Sequence, residues 1–413
     1  MNFEVIKRSH VKRNILIGVL VVLILTAIIL TFTKAKYKIT ESIPLVNGTI
    51  NYELSDFNLI GAYIQEGDNY TQVDEIPTSG YEFNVEKSYC TVNDENINAT
   101  LNYDMETQNL TITPLTTKGT KCYLYFDEKA SGGDYILAGD NPPTNSTTDW
   151  TGGTSYYYTG NPNNWVQFAG FWWRIIRING DGTIRMIYQG TSANTTGTGT
   201  QIGESFFNSS YNNNMYVGYM YTSGQRQGTG SSSAIKGVLD QWYSVTSGLT
   251  AYSDYIDGNA GFCGDRRVSS GNGIGTSVTN YQPYTRISNS SPSLSCEDAD
   301  IYTTTDSSTG NKSLTYPIGL ISADEAMFAG IPIWNNSSPS NYLCTEEYYW
   351  TMSPSFFEGI SAYVFNIDSS GSLVDNYYVN RTHSVRPVIN LRSDVPITGS
   401  GTTSDPFKVV GAS

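Results

Sequence analysis

The chemistry open to this chain is narrowed first by its histidines. There are two in 413 residues, and only His383 lies beyond the first ten positions. A Ser-His-Asp triad would have to use His383, yet no serine sits in a Gly-x-Ser-x-Gly elbow. Carboxylates are more plentiful. Asp324 or Glu325 with Glu346 or Glu347 has the residue types of a glycoside-hydrolysing pair. Glu325, however, stands three residues after Ser322, the spacing of a helix capping box, which gives it a structural duty. Gly271-Asn272-Gly273-Ile274-Gly275 precedes no clear helix, so a phosphate cradle is not indicated.

Aromatic residues carry the stronger signal. Tyr is by far the commonest aromatic, at 31 residues, and clusters at Tyr156-Tyr157-Tyr158, Tyr348-Tyr349-Trp350 and Tyr377-Tyr378. Loops rich in Tyr, Ser, Gly and Asn offer stiff contact rings among adaptable hydrogen-bonding groups, and such rings stack on sugars. The competing use is packing, above all for Trp172, Trp173 and Trp350. The expected ligand-binding residues are Tyr348, Tyr349, Trp350, Tyr377 and Tyr378. No catalytic residue, metal ligand or cofactor is expected.

The five cysteines are Cys90, Cys122, Cys263, Cys296 and Cys344. None forms a Cys-x-x-Cys pair, and the scarcity of histidine argues against zinc. Wide spacing in a polar chain suits disulfides in an oxidising compartment. The preferred pairs are Cys90–Cys122 and Cys263–Cys296, leaving Cys344 as a free thiol; Cys296–Cys344 is the rival. On the chain-entropy account the first bridge is worth roughly 3 to 4 kcal/mol.

The elements that must position these groups divide the chain. Ile15 to Leu30 is an apolar run behind Lys7, Arg8, Lys12 and Arg13. With its flanks it approaches the roughly 20 residues a bilayer-spanning helix needs. The expected order is a basic cytoplasmic segment 1–13, a transmembrane helix 14–33, a small all-β domain 34–129, a linker 130–150 and an α+β domain 151–413. A cleaved secretory signal is the alternative to the anchor, but Thr33-Lys34-Ala35 is a poor cleavage site and the apolar core is long. Flanking charges barely bias orientation, because Lys34, Lys36 and Lys38 follow the run. The cysteines favour an extracellular carboxyl-terminal part, a single-pass plasma-membrane placement with the amino terminus in the cytoplasm.

In the all-β domain, alternation is visible in Ala99–Tyr103, Leu110–Ile112 and Cys122–Phe126, with a hairpin loop over Asp104–Asn109. A cysteine in an early strand and one in a late strand would staple two sheets, as in an immunoglobulin-like sandwich, here read as a spacer. No Trp lies between them. In the following domain Phe171–Ile178 and Thr183–Tyr188 flank Asn179-Gly180-Asp181-Gly182 as a hairpin. Ile235, Val238, Leu239 and Trp242 share one helical face behind Ser231-Ser232-Ser233. Ser322–Glu325 caps a second helix, closed by Gly330. Ala362–Ile367 and Arg386–Leu391 read as strands near the end.

Five segments of this second domain occur in a characteristic order: Val166–Ile176, Phe262–Arg266, Tyr316–Glu325, Trp350–Pro354 and Val385–Leu391. The series resembles an uncharacterised domain of surface proteins from low-GC Gram-positive bacteria, similar to the C-type-lectin-like fold of formylglycine-generating enzymes. The resemblance spans about residues 160 to 410 and departs at Ser384, where Gly is expected before Val385-Arg386-Pro387. It implies a compact core displaying long loops, in a fold that binds ligands more often than it catalyses. The related oxidase needs two cysteines for copper, and Cys344 alone could not supply them. Gln282-Pro283-Tyr284 and Trp334-Asn335-Asn336 lack the carboxylates of calcium-binding lectin loops.

The net charge is −14, and residues 1–13 contribute +3 through four basic side chains and Glu4, so the remainder sits near −17. So acidic a chain repels phosphate backbones, which excludes nucleic acid as a natural partner. The expected protein is a membrane-tethered bacterial cell-surface binder of a glycan, protein or envelope polymer, with the bilayer as partner through its helix. The alternatives are a surface hydrolase or oxidase on the same fold, or a structural envelope protein.

Overall fold

The computed structural model describes residues 58–66, 69–77, 81–104, 109–113, 119–128, 131–334 and 336–412. The chain divides into two compact units, 1–129 and 130–413. Seven strands are described in the first: β1 (Asn58–Glu66), β2 (Asn69–Val73), β3 (Tyr81–Val92), β4 (Glu95–Ile97), β5 (Thr100–Asp104), β6 (Asn109–Thr113) and β7 (Thr120–Glu128). Five form one sheet in the order β2-β1-β7-β3-β4, and β5 pairs with β6 as a hairpin. In β7, Thr120, Cys122, Leu124 and Phe126 are buried while the residues between them are not, the two-residue period of a strand with one face on a core. That core gathers Ala62, Leu101, Tyr103, Leu124 and Phe126, so the hairpin covers part of one sheet face.

The Cys90–Cys122 bond forms, but not as a staple between two sheets. The two residues are direct partners on the neighbouring antiparallel strands β3 and β7. Side chains at such positions already lie beside one another, so the bond locks register within a sheet.

The second unit carries an eight-stranded and a seven-stranded sheet. The first sheet is built on the hairpin Phe171–Ile178 and Ile184–Gly190, flanked by Trp165–Phe168 and Val388–Leu391. Its turn works through local polar groups. Gly182 takes φ +82°, Asn179 donates to the Thr183 hydroxyl at 2.7 Å, and the Asp181 carboxylate accepts from the Thr183 amide at 3.0 Å. The second sheet centres on Tyr349–Glu358, which pairs with Ser361–Ile367 and Thr279–Tyr281. The helix Ala234–Val245 is capped by Ser233 and buries Ile235 and Leu239. The short helix Ala323–Phe328 opens on a complete capping box between Ser322 and Glu325.

The described fold is rich in sheet with few helices, which accords with an α+β second unit and corrects the membrane-anchored class. No helix among the described residues is long and apolar enough to cross a membrane. Ala234–Val245 has 12 residues, well short of the roughly 20 a bilayer demands. The expected span 14–33 and the basic segment before it lie outside the described residues. The transmembrane helix, and the single-pass plasma-membrane placement that rested on it, are therefore set aside.

Cys263 and Cys296 are bonded, and Cys344 is free and half-buried. The preferred pairing is therefore the one present, and the rival Cys296–Cys344 bond is not formed.

Glu325 does more than cap its helix. Its carboxylate pairs with Arg177 at 3.0 Å and with Arg185, all three side chains being 1% exposed. Both arginines belong to the eight-stranded sheet, whereas the preceding Ile321 and Ala323 bond to Met352 and Ser353 of the seven-stranded one. Burial opposes the charge on Glu325, but Arg185, Arg177 and the Ser322 amide together hold its carboxyl down to about 2. Removing one partner of such a cluster leaves uncompensated buried charge. Glu325→Ala is expected to destabilise the second unit by about 3 to 5 kcal/mol, measured by urea unfolding.

Candidate functional site

One side of the expected acid–base pair, Asp324 and Glu325, is committed elsewhere, while Glu346 is exposed and Glu347 half-buried. Asp324 is buried and receives two parallel hydrogen bonds from Arg286, at 2.8 and 2.7 Å, plus the Ser293 amide at 2.9 Å. Glu325 is equally buried. Neither can meet a substrate. His383 is flanked by the rings of Tyr348, Trp350 and Tyr377, and its Nε2 is buried without a hydrogen-bond partner among the described residues. Among those residues no group of three His, Cys, Asp or Glu side chains is placed to hold a metal ion.

The five aromatic residues expected at a binding surface separate into three groups. Tyr349 and Trp350 are fully buried. The Tyr349 hydroxyl donates to the Leu343 carbonyl at 2.7 Å, and its ring lies under the Arg386 guanidinium at 4.7 Å. The Trp350 indole donates to the Ser205 carbonyl at 3.0 Å and packs on Phe207. These two are core residues, not ligand contacts: adjacent positions on a strand covered on both faces are both enclosed. Tyr348 and Tyr377 are half-buried and enclose His383, Tyr348 stacked at 5.5 Å and Tyr377 edge-on at 4.9 Å.

Tyr378 belongs to a third group, the most extended. Tyr284, Phe356, Tyr363, Tyr378 and Tyr211 form an unbroken row with ring centroids 5.7, 4.2, 5.0 and 6.0 Å apart in that order. Every member is half-buried, so each ring is held by the fold yet retains exposed surface. The row is assembled from four separate segments. Phe356 and Tyr363 come from paired strands, Tyr363 and Tyr378 meet at an isolated antiparallel bridge, and the Ala362 amide bonds to the Tyr211 carbonyl at 2.8 Å. Burial, then a hydrogen bond to Tyr378, raises the Tyr363 phenol to about 12, so it stays neutral at ordinary pH. Arg381, exposed, sits over the Tyr378 ring at 5.8 Å.

The first unit has its own aromatic surface. Tyr70 of β2, Tyr63 of β1, Tyr123 and Tyr125 of β7 and Tyr89 of β3 span four neighbouring strands. Tyr63 stacks on Tyr125 at 4.8 Å, Tyr89 on Tyr123 at 4.9 Å, and Tyr70 meets Tyr125 edge-on at 5.2 Å. Tyr123 and Tyr125 alternate with the buried Cys122, Leu124 and Phe126, which places them on the sheet face away from that core. The Tyr70 hydroxyl donates to the Asp127 carboxylate, which also accepts from Asn84 at 2.7 Å. Lys87 lies 4.9 Å above the Tyr70 ring.

Compared with family models, with curated proteins and with solved structures, the chain matches none. The site must therefore be read from its own residues. Sequence clustering found Tyr378 but missed Tyr211, Tyr284, Phe356 and Tyr363, which stand singly or beside one other aromatic in the chain. The available signal was alternation: Tyr123 and Tyr125 sit at the exposed phase of a strand whose other phase is apolar.

His383 generates a test of this arrangement. Burial, then the charge of Arg381, depresses its imidazole from 6.5 to about 4. The unfolded chain therefore takes up a proton below pH 6.5 that the folded chain refuses until near pH 4. Stability from this group is complete above pH 6.5 and falls as pH drops to 4, by at most about 3 kcal/mol. His383→Phe should flatten that part of the stability profile, measured by urea unfolding at a series of pH values.

Proposed function

We propose that this protein is a non-catalytic binding module that recognises a glycan through surface aromatic rings. One observation carries the reading: Tyr284, Phe356, Tyr363, Tyr378 and Tyr211 are in continuous contact at the surface of the second unit. An aromatic ring stacks on the apolar face of a pyranose, and a tyrosine adds a hydroxyl able to donate and accept. Rings already packed against one another lose little freedom on binding, which lowers the entropic cost of complex formation. The tyrosine face of the first unit repeats the chemistry and extends binding to a unit that its sequence presented as a spacer.

The acidic balance of the chain supports a neutral ligand over an anionic polymer. Burial of Asp324 and Glu325 in ion pairs with arginines favours a binding role over hydrolysis by a pair that either would form with Glu346 or Glu347. The lectin-like resemblance of residues 160 to 410 points the same way, since loops and surface rings carry ligands in such folds.

The test is binding of the full chain to immobilised neutral polysaccharides and to a glycan array, with two double variants. Tyr363→Ala with Tyr378→Ala should weaken binding at the second unit about tenfold or more, equivalent to ~1.4 kcal/mol. Tyr89→Ala with Tyr125→Ala should do the same for the first. Near-UV circular dichroism should retain the signal of buried Trp173 and Trp350 in the former, and the first unit's urea-unfolding transition should persist in the latter. Absence of saturable binding to every glycan would overturn the proposal, as would binding indifferent to both variants.

A further inference from the structure

A groove of about 290 Å³ opens elsewhere on the second unit, between residues 141–145 and 157–163, where the paired strand ends Asn145 and Tyr157 meet. It shares no residue with the aromatic row. Its walls contain Asn141, Pro142, Pro143, Tyr157, Pro162 and Asn163, and not one side chain lining it is charged. In a chain of net charge −14 a wholly uncharged groove is selective by itself. It provides no counter-charge for a phosphate or a carboxylate, and no acidic group for a cation.

The inner half of the groove is wired in place. Asn141 donates to the Ser400 carbonyl at 3.1 Å, and its own carboxamide oxygen accepts from Asn163 at 3.2 Å. The buried Tyr158 donates its hydroxyl to the Asn141 carbonyl at 2.7 Å. Arg174 holds the Pro162 carbonyl at 2.9 Å. Gly160 donates to Ala329 and accepts from Tyr342, which anchors the second wall. The Tyr157 ring is fixed against Phe328 at 4.9 Å.

The outer half is left unused. Thr144, Asn145, Thr159 and Asn161 are exposed groove residues whose side chains make no hydrogen bond among the described residues. Two carboxamides and two hydroxyls thus stand spare, each able to donate and accept, around a floor that includes Tyr157 and Tyr158. Vicinal hydroxyls of a sugar need such paired donors and acceptors. The volume lies at the lower end of small-ligand sites and suits one or two sugar residues in preference to a peptide segment. We infer that this groove is a second carbohydrate subsite, taking a single neutral sugar residue and its immediate neighbour. A chain end held here and a longer stretch stacked on aromatic rings would be different binding modes of one protein.

The inference is tested by saturation-transfer difference NMR and calorimetry on the full chain. The probes are glucose, galactose, mannose, N-acetylglucosamine and their β-linked disaccharides. At least one neutral sugar should bind saturably. Asn161→Ala with Thr144→Ala should weaken it about tenfold or more, and Thr159→Trp, which fills the groove from an exposed position, should abolish it. The Tyr363→Ala, Tyr378→Ala variant should leave this binding unchanged, which separates the groove from the aromatic row. The inference fails if no neutral sugar binds, if groove variants bind as well as the parent chain, or if galacturonate or another acidic sugar binds more tightly than its neutral counterpart.

Discussion

The second unit depends on one buried carboxylate. Glu325 faces two arginines of the eight-stranded sheet while its own helix is bonded to the seven-stranded sheet. Three ionised groups at 1% exposure carry a large desolvation cost, and mutual attraction repays it only when the geometry is fixed. The cluster therefore acts less as a source of net stability than as a constraint on how the two sheets meet. The same carboxylate accepts from the Ser322 amide at 2.8 Å, which makes the cap and the sheet contact one feature.

Other buried arginines extend the principle to the loops. Arg386 bonds to the carbonyls of Leu343 and Tyr188 and to the Gln189 side chain. Arg266 pairs with Asp300 at 3.2 Å and reaches the Met220 carbonyl at 2.8 Å. Irregular backbone inside a domain leaves carbonyls that no strand or helix satisfies, and a guanidinium can serve several at once. Loops are thereby tied to buried side chains of the unit. Such anchoring supports the functional reading, since a surface ring contributes to binding when it is positioned in advance.

Local signals in the sequence were read well where the physics is local. The turn at Asn179–Gly182, the helix behind Ser233 and the Ser322–Glu325 box each rest on residues within a few positions of one another, and each is present in the structure. The cysteine pairs also follow, although Cys90–Cys122 joins neighbouring strands and not two sheets. The apolar run Ile15–Leu30 satisfies a length rule but lies outside the described residues, among which no helix could span a bilayer.

By itself the sequence determined an acidic, tyrosine-rich chain with two histidines and with cysteines spaced to pair. It also determined where turns and caps fall, because those depend on near neighbours. Only the tertiary structure decided which aromatic residues face outward. Tyr349 and Trp350 lie in the core while Tyr378 joins Tyr211, Tyr363, Phe356 and Tyr284 at the surface. A ring is equally suited to packing and to binding, so its composition cannot distinguish the two. Strand register and the covering of each sheet face make that choice, and both are set by contacts between residues far apart in the chain.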